Sequence, residues 1–139
     1  MLQYLFDTDH LTLFDHADVR VWRHYANHPL GSVGLGTVSV SETLRGRMAA
    51  VARHQNGPLH VQAYTNLIAS LSLFQSFTIV PFDSACEGRY RHLRGMRLRI
   101  GSQDLRIAAI ALVNNLILIT RNRRDFGRVP GLRIDDWSV

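Results

Sequence analysis

Short apolar runs alternate along the chain with longer segments in which apolar residues recur every three or four positions. The short runs carry β-branched or aromatic residues, a composition that predicts β-strands. They predict strands at residues 3–6, 37–40, 78–82, 116–120 and 132–134. The glycine-rich segment 31–36 imitates a phosphate-binding loop, but such loops follow a strand and open a helix. Because this segment precedes a predicted strand, we interpret it as an ordinary loop.

The longer segments have the apolar spacing of helices that pack on one side. They predict two helices that end near Phe14 and Tyr25, and four more at residues 42–51, 61–74, 84–95 and 102–112. Helix caps are predicted at Thr8 or Asp9, at Ser41 and at Asp83. Strands separated by helices predict an α/β fold of three layers, α/β/α, in which a central parallel sheet carries helices on both faces.

The composition predicts one globular domain over residues 1–139. Apolar residues make up 46% of the 139 residues, which is enough for a single core. No apolar run approaches the ~18 residues of a membrane-spanning helix, so no membrane association is expected. Residues 1–7 lack the features of a signal peptide, which predicts a cytoplasmic protein. The single cysteine, Cys86, excludes an internal disulfide and a thiolate zinc site.

The net positive charge of the chain indicates the kind of partner it binds. Sixteen basic residues, all of them arginine, stand against eleven acids and give a net charge of +5. The planar arginine guanidinium can donate two parallel hydrogen bonds to phosphate oxygens, so this balance favours a polyanionic partner, although a GC-rich genome is an alternative reason for the absence of lysine. The arginines border acidic residues in two groups, at residues 89–99 and 121–128. This layout is typical of a nuclease that grips a phosphodiester backbone beside a metal.

Four carboxylates occupy positions where an α/β fold commonly holds reactive groups. They are Asp7, Glu42, Asp104 and Asp125. Three of them follow predicted strands, and Asp104 lies in the first turn of a predicted helix. Crowded carboxylates repel one another unless a hard cation lies between them, so the pattern predicts a divalent-metal site. Each acid taken alone is also an ordinary helix cap or first-turn residue.

Two other motifs are weaker. The segment Asp7-Thr8-Asp9-His10 resembles the start of aspartate-nucleophile phosphatases, which need a lysine for the phosphoryl group, and this chain has none. His24 and His28 have the i, i+4 spacing of zinc ligands but lack the adjacent glutamate of the zinc-protease pattern. We therefore expect these histidines at a solvated helix end, and the phosphatase remains a minor alternative.

Four ordered segments carry a family resemblance. They are residues 4–11 (YLFDTDHL), 38–46 (VSVSETLRG), 100–111 (IGSQDLRIAAIA) and 118–126 (LITRNRRDF), and the tail 129–137 fits with them. Over its whole length the chain resembles PIN-domain ribonucleases, specifically VapC-type toxins of bacterial type II toxin-antitoxin pairs. By this resemblance, Asp7, Glu42 and Asp104 are the acids that bind one or two Mg²⁺ or Mn²⁺ ions. Many family members place a fourth acid where this chain has Asn122, so either Asp125 substitutes for it or Asn122 holds a metal-bound water.

The resemblance also implies an activity and partners. It implies a metal-dependent endoribonuclease that hydrolyses phosphodiester bonds in a structured RNA such as transfer or ribosomal RNA. It implies a cognate antitoxin and a homodimer, for which the apolar helix around residues 64–74 and the helix around Trp22 are candidate interfaces, with a core role as the alternative. Because the fourth acidic position is altered, a PIN-like module that binds RNA without cutting it is the main alternative function.

Overall fold

Five strands form one sheet, and every neighbouring pair is parallel. Across the sheet they lie in the order Thr78–Val80, Val33–Gly36, Tyr4–Phe6, Ile117–Ile119 and Ile134–Asp135. The computed structural model describes all 139 residues. The strands are β1 (Tyr4–Phe6), β2 (Val33–Gly36), β3 (Thr78–Val80), β4 (Ile117–Ile119) and β5 (Ile134–Asp135). The helices are α1 (Thr8–Asp15), α2 (Val19–Ala26), α3 (Thr37–Arg53), α4 (Gly57–Phe74), α5 (Ser84–Gly95), α6 (Ser102–Val113) and α7 (Arg123–Phe126). The predicted parallel α/β sheet is confirmed. None of the seven helices combines the length and the hydropathy required of a membrane span.

The strand order places a switch point beside β1. From β1 the chain adds β2 and β3 on one side of the sheet, and it then returns to add β4 and β5 on the other side. Phe6 at the end of β1 is in register with Leu35 of β2 and with Ile119 of β4. In parallel sheets the crevice at such a switch point is the usual position of a ligand site. The residues that follow β1 and β4 therefore face the same crevice.

Side chains on the strands alternate between two hydrophobic cores, as the strand geometry requires. Leu5 and Leu118 pack with buried residues of α5 and α6, whereas Phe6 and Ile119 pack with buried residues of α1 and α2. Helix α6 is apolar on nearly all sides because it lies inside the first core, with residues 107–111 all buried. The sheet thus has helices on both faces and holds the ends of β1 and β4 rigidly.

The predictions of a loop at residues 31–36 and a strand at residues 37–40 are wrong. Val33–Gly36 is strand β2, all four residues of which are buried, and Thr37 begins α3. Glycine is needed in this strand because its neighbours approach closely: a Cβ on Gly34 would lie 2.9 Å from Val80 Cγ2. As a consequence, Glu42 lies in the second turn of α3 and does not follow a strand directly.

Aspartate side chains cap three of the helices by accepting backbone N–H groups, namely Asp7 on α1, Asp18 on α2 and Asp83 on α5. The backbone N–H of Cys86 lowers the pKa of Asp83, which is the cap predicted for that helix. The predicted caps Thr8 or Asp9 and Ser41 are wrong. Asp7 itself caps α1, and Ser41 lies inside α3, where its hydroxyl donates to the carbonyl of Val38 at 2.8 Å.

The C-terminal tail closes the second core. The indole of Trp137 is 1% exposed and stacks with the rings of His24 and His28, at centroid distances of 5.3 and 4.9 Å. It also packs on Tyr4 and Phe6 of β1. The two histidines lie at the C-terminal end of α2, as expected, but they are half-buried against the tail and not freely solvated.

Two glycine-to-alanine variants, one in β2 and one in α5, test the close packing of β2. In Gly34→Ala the new methyl group would lie 2.9 Å from both Leu2 Cδ1 and Val80 Cγ2, which we expect to lower the free energy of unfolding by about 1–3 kcal/mol. In Gly88→Ala, inside α5, the methyl group meets nothing within 4 Å, so we expect a gain of about 0.5–1 kcal/mol. Urea unfolding of both variants measures the difference. Equal stability of the two would contradict the packing described for β2.

Candidate metal centre

Asp7 lies at the switch point of the sheet and is oriented by two hydrogen bonds. It directly follows β1 and is 5% exposed. Its Oδ1 accepts the backbone N–H of His10 at 2.7 Å, and its Oδ2 accepts the hydroxyl proton of Thr120 at 2.6 Å. Thr120 follows β4, and its hydroxyl oxygen in turn accepts the backbone N–H of Asn122 at 2.9 Å. The carboxylate is thus fixed, while each oxygen keeps a lone pair for a further ligand.

Glu42 belongs to the same region through its contact with α1. Its Oε1 accepts the hydroxyl proton of Thr8 at 2.8 Å, and Thr8 Oγ1 lies 2.9 Å from Ser39 Oγ. A hydroxyl has one proton and a carboxylate only accepts, so Thr8 donates to Glu42 and the buried Ser39 donates to Thr8. This chain of hydroxyls ties the first turn of α1 to α3 and orients Glu42.

Asp104 lies in the first turn of α6, and its side chain makes no hydrogen bond and no ion pair. Burial raises its pKa above the ordinary aspartate value, and the negative charges of Asp7, Glu42 and Asp125 raise it further. These three acids act on Asp104 because the fold brings all four predicted carboxylates into one region. Asp104 is the member of the group without any compensating partner, so it gains most from a cation.

Asp125 differs from the other acids in having partners for both oxygens. Its Oδ2 accepts from Asn122 Nδ2 at 3.1 Å and its Oδ1 accepts from Arg128 Nη2 at 2.5 Å. The Asn122 hydrogen bond and, after it, Arg128 hold the pKa of Asp125 below the usual range. Asn122 caps α7, with its Oδ1 accepting the backbone N–H of Asp125 at 3.2 Å. Both candidates for the fourth position are therefore engaged with each other at the start of α7.

A second group of potential ligands overlaps the first. Ligand atoms of Asp7, Asp9 and His10 lie within 4.8 Å of one another. Asp9, however, forms a bidentate ion pair with Arg121, with both N–O distances 2.8 Å, and this pair raises the pKa of Arg121. His10 is fully buried, and its Nε2 accepts the backbone N–H of Trp137 at 3.3 Å. A cation bound by this group would have to displace the Arg121 guanidinium from Asp9. The group of Asp7, Glu42 and Asp104 carries no such competing cation, and the charges of Asp7 and Glu42 act on Asp104.

The donor set of Asp7, Glu42 and Asp104 fits a hard divalent cation. All of its ligand atoms are carboxylate oxygens, which Mg²⁺ and Mn²⁺ prefer, and neither sulfur nor an accessible imidazole takes part. Burial first, and then the negative charges of Asp7, Glu42 and Asp125, raise the pKa of Asp104, and a cation would relieve the repulsion among these charges. Residues of α1, α3 and α4 line an adjoining groove of about 460 Å³, which contains Thr8 and Glu42 and is open to solvent.

The fold agrees with a comparison to known families. The family model described as "PIN domain" matches residues 4–132. The chain belongs to the PIN domain family. The sequence resemblance to this family is thereby confirmed, and the family match includes all four of the predicted acids.

Individual PIN-domain relatives have low sequence identity to this chain. Ribonuclease VapC2 of Rickettsia felis is 35% identical over 75 residues, which are 50% of this chain and 56% of that protein. Ribonuclease VapC1 of the same organism is 29% identical over 119 residues, which are 81% of this chain and 78% of that protein. The chain thus spans little more than half the length of the first of these relatives. A crystal structure of DNA-bound VapBC from Salmonella typhimurium superposes with a TM-score of 0.81 over 99% of both chains at 20% identity, which establishes likeness of fold.

Three hydroxyl residues that orient the acids of this PIN domain are missing from the sequence prediction. They are Thr8, Ser39 and Thr120. Spacing offers a signal for two of them: Thr120 stands after β4 as Asp7 stands after β1, and Ser39 precedes Glu42 by one helical turn. His10 and the Asp9–Arg121 pair are likewise visible only in the folded chain, because their partners lie more than 100 residues away.

Proposed function

We propose that this protein is a divalent-metal-dependent endoribonuclease and the toxin component of a toxin-antitoxin pair, with residues 1–139 acting as one nuclease domain. The observation that carries the proposal is the crowding of Asp7, Glu42 and Asp104 around one crevice, with Asp104 unpaired and its pKa raised. The ribonucleases named VapC among the relatives support the same activity class.

In this proposal, the position of each residue at the site determines its role. Asp7, Glu42 and Asp104 hold the cation, Thr120 and the backbone N–H of His10 orient Asp7, and Thr8 orients Glu42. The chemistry that Mg²⁺ or Mn²⁺ would supply when held by these acids is activation of a water and stabilisation of negative charge on the phosphodiester oxygens. Arginines bordering the site bind the flanking phosphates of RNA. No covalent enzyme intermediate is needed, which separates this proposal from an aspartate-nucleophile phosphatase.

Cleavage of an end-labelled structured RNA tests the proposal. The purified protein should produce shorter fragments with Mg²⁺ or Mn²⁺ and none after chelation, and Asp7→Asn should produce none under either condition. A protein that retards the RNA without shortening it would instead be the RNA-binding module. Release of phosphate from a small phosphomonoester, with no RNA fragments, would favour the phosphatase.

The exposed apolar residues on α4 support the proposal that this protein binds other protein chains. Val61, Tyr64, Ile68 and Leu71 follow one another at helical spacing and are 50–65% exposed. Exposed stripes of this kind commonly mark a protein–protein interface. We propose that α4 takes part in a homodimer or in binding a cognate antitoxin. Light scattering of the wild type and of Ile68→Asp, alone and with the candidate antitoxin, tests both assignments.

The fourth position of the site gives a separate prediction. If Asp125 is a metal ligand, Asp125→Ala should lose far more cleavage activity than Asn122→Ala, and excess Mn²⁺ should partly restore it. If Asn122 orients a metal-bound water, the ranking should reverse. Because Asp125 already pairs with Arg128, its role can instead be limited to a partly exposed ion pair that contributes below ~1 kcal/mol. Unchanged rates in both variants would remove both residues from the site.

A further inference from the structure

A second, basic pocket lies on the α5–α6 face, away from the groove between α1, α3 and α4. It has a volume of about 560 Å³ and is lined by Glu87, Tyr90, Arg91, Arg94, Gly95 and Arg106. Arg91 Nε pairs with Glu87 at 3.1 Å, and this is the only ion pair in the pocket. The lining therefore carries three guanidinium groups and one carboxylate, so it attracts anions.

Arg106 is held in place at the floor of this pocket. Its guanidinium carbon lies 4.4 Å from the centroid of the Tyr90 ring, and its Nη1 donates to Gln103 Oε1 at 2.7 Å. Tyr90 is itself buried, at 5% exposed. Stacking and one hydrogen bond fix the plane of the guanidinium and leave its other N–H donors without protein acceptors. A fixed guanidinium fork with free donors matches the oxygens of a phosphate.

The positive charge around this pocket continues along the chain toward Asp104. Arg94 makes no side-chain hydrogen bond or ion pair, and the same holds for Arg97 and Arg99 in the segment that leads into α6. Arg97 and Arg99 adopt left-handed backbone conformations, with φ of 52° and 60°, which residues other than glycine rarely adopt. Uncompensated arginines thus occur both in the pocket and in the chain segment that leads from α5 into α6, the helix that carries Asp104.

We propose that the pocket formed by Tyr90, Arg94 and Arg106 binds a backbone phosphate of an RNA strand whose scissile bond lies at Asp104. The proposal rests on the nuclease function proposed above and adds a subsite to it. A repeated polyanion suits several uncompensated arginines better than an acidic peptide does, because its charges recur along one strand. The Tyr90 ring is covered by Arg106, so this subsite recognises phosphate and not a base.

Salt-dependent RNA binding tests the subsite. The probes are single-stranded oligouridine and oligoadenine, measured without metal so that no cleavage occurs. The variants are Arg94→Gln and the double variant Arg94→Gln/Arg106→Gln, and the matched control is Arg20→Gln/Arg23→Gln on α2, across the sheet. Each lost phosphate contact should reduce the slope of log affinity against log salt by about 0.7 for both probes, with the control unchanged. Arg94 is exposed and unpartnered, so the single variant keeps the test valid if Arg106→Gln lowers stability.

Cleavage kinetics separate this inference from the proposed function. With metal and a long RNA, the pocket variants should raise KM and leave kcat unchanged, because a flanking phosphate contributes uniform binding. Unchanged salt slopes would overturn the subsite even if the wild type cuts RNA. Unchanged slopes together with loss of dimer or antitoxin binding would assign the pocket to a protein partner instead. A wild type that binds RNA with the expected arginine-dependent slopes but never cuts it would support the subsite and overturn the nuclease.

Discussion

Replacing Asp104 with asparagine should reduce RNA cleavage by more than about 100-fold while leaving the metal-free protein at least as stable as the wild type. Loss of groups that merely support metal ligands typically costs 10–100-fold, so the loss of a ligand itself should exceed about 100-fold. The folded protein gains because Asp104 is half-buried and repelled by Asp7, Glu42 and Asp125, and asparagine removes that repulsion. Cleavage rates measured beside thermal melts test both halves of the prediction.

The stability difference between Asp104→Asn and the wild type should depend on pH in a defined direction. The folded state raises the pKa of Asp104, so it binds this proton more tightly than the unfolded state does. The resulting contribution to stability is complete below the unfolded pKa and is lost as the pH rises through the folded pKa. The two proteins should therefore melt together in acid and diverge toward neutral pH, with the variant higher. Wild-type cleavage, or a variant that is less stable at neutral pH, would contradict the assignment of Asp104.

Replacing Trp137 with alanine should lower the free energy of unfolding by about 3–5 kcal/mol, the usual cost of truncating a buried tryptophan. The indole is 1% exposed and packs on His24, His28 and Phe6. Its backbone N–H also donates to His10 Nε2, and His10 Nδ1 lies 3.5 Å from Asp7 Oδ1. Loosening the tail should therefore also reduce cleavage, because it releases the residue that packs behind Asp7. Denaturant unfolding and cleavage rates measure the two effects.

Trp22→Ala is the matched control for Trp137. Trp22 stacks on Phe14 but is 42% exposed, so the same truncation should cost clearly less stability and leave the candidate metal ligands Asp7, Glu42 and Asp104 in place. Equal losses in the two variants would show that the C-terminal tail is not part of the second core. A Trp137→Ala protein that is destabilised but fully active would show that the tail does not help to position Asp7.

The positions of most elements follow from local sequence, but the segment around residues 31–40 does not. Val33–Gly36 contains two glycines, which are poor strand formers, and Thr37–Val40 is β-branched, which favours a strand. Tertiary packing reverses both preferences. A side chain at Gly36 would meet Ile110 Cδ1 at 2.8 Å, so glycine is the residue that the sheet accommodates there. Local propensity contains no information about that close approach.

The candidate site was predictable in its acids and not in their surroundings. Asp7 is predictable because it ends a short apolar strand, and Asp104 because it opens an apolar helix. Glu42 was predicted at the site from a strand that does not exist, and α3 brings it there instead. The position of Thr120 after β4 indicates that it lies near Asp7, but the hydrogen bond that joins the two side chains across 113 residues is visible only in the folded chain. The charges of Asp7, Glu42 and Asp125 act on Asp104, but metal binding by any of the four acids remains a prediction.

Mn²⁺ binding measured by titration calorimetry tests most directly the claim that Asp7, Glu42 and Asp104 form the metal centre. The comparison uses the wild type, Asp104→Asn, and the charge-neutral double variant Asp9→Asn/Arg121→Gln, which removes the alternative ligand Asp9 together with its ion-pair partner. We expect Asp104→Asn to weaken binding by at least about tenfold and the double variant to bind as the wild type does. Strong binding in Asp104→Asn combined with lost binding in the double variant would contradict the account and assign the metal to Asp7, Asp9 and His10.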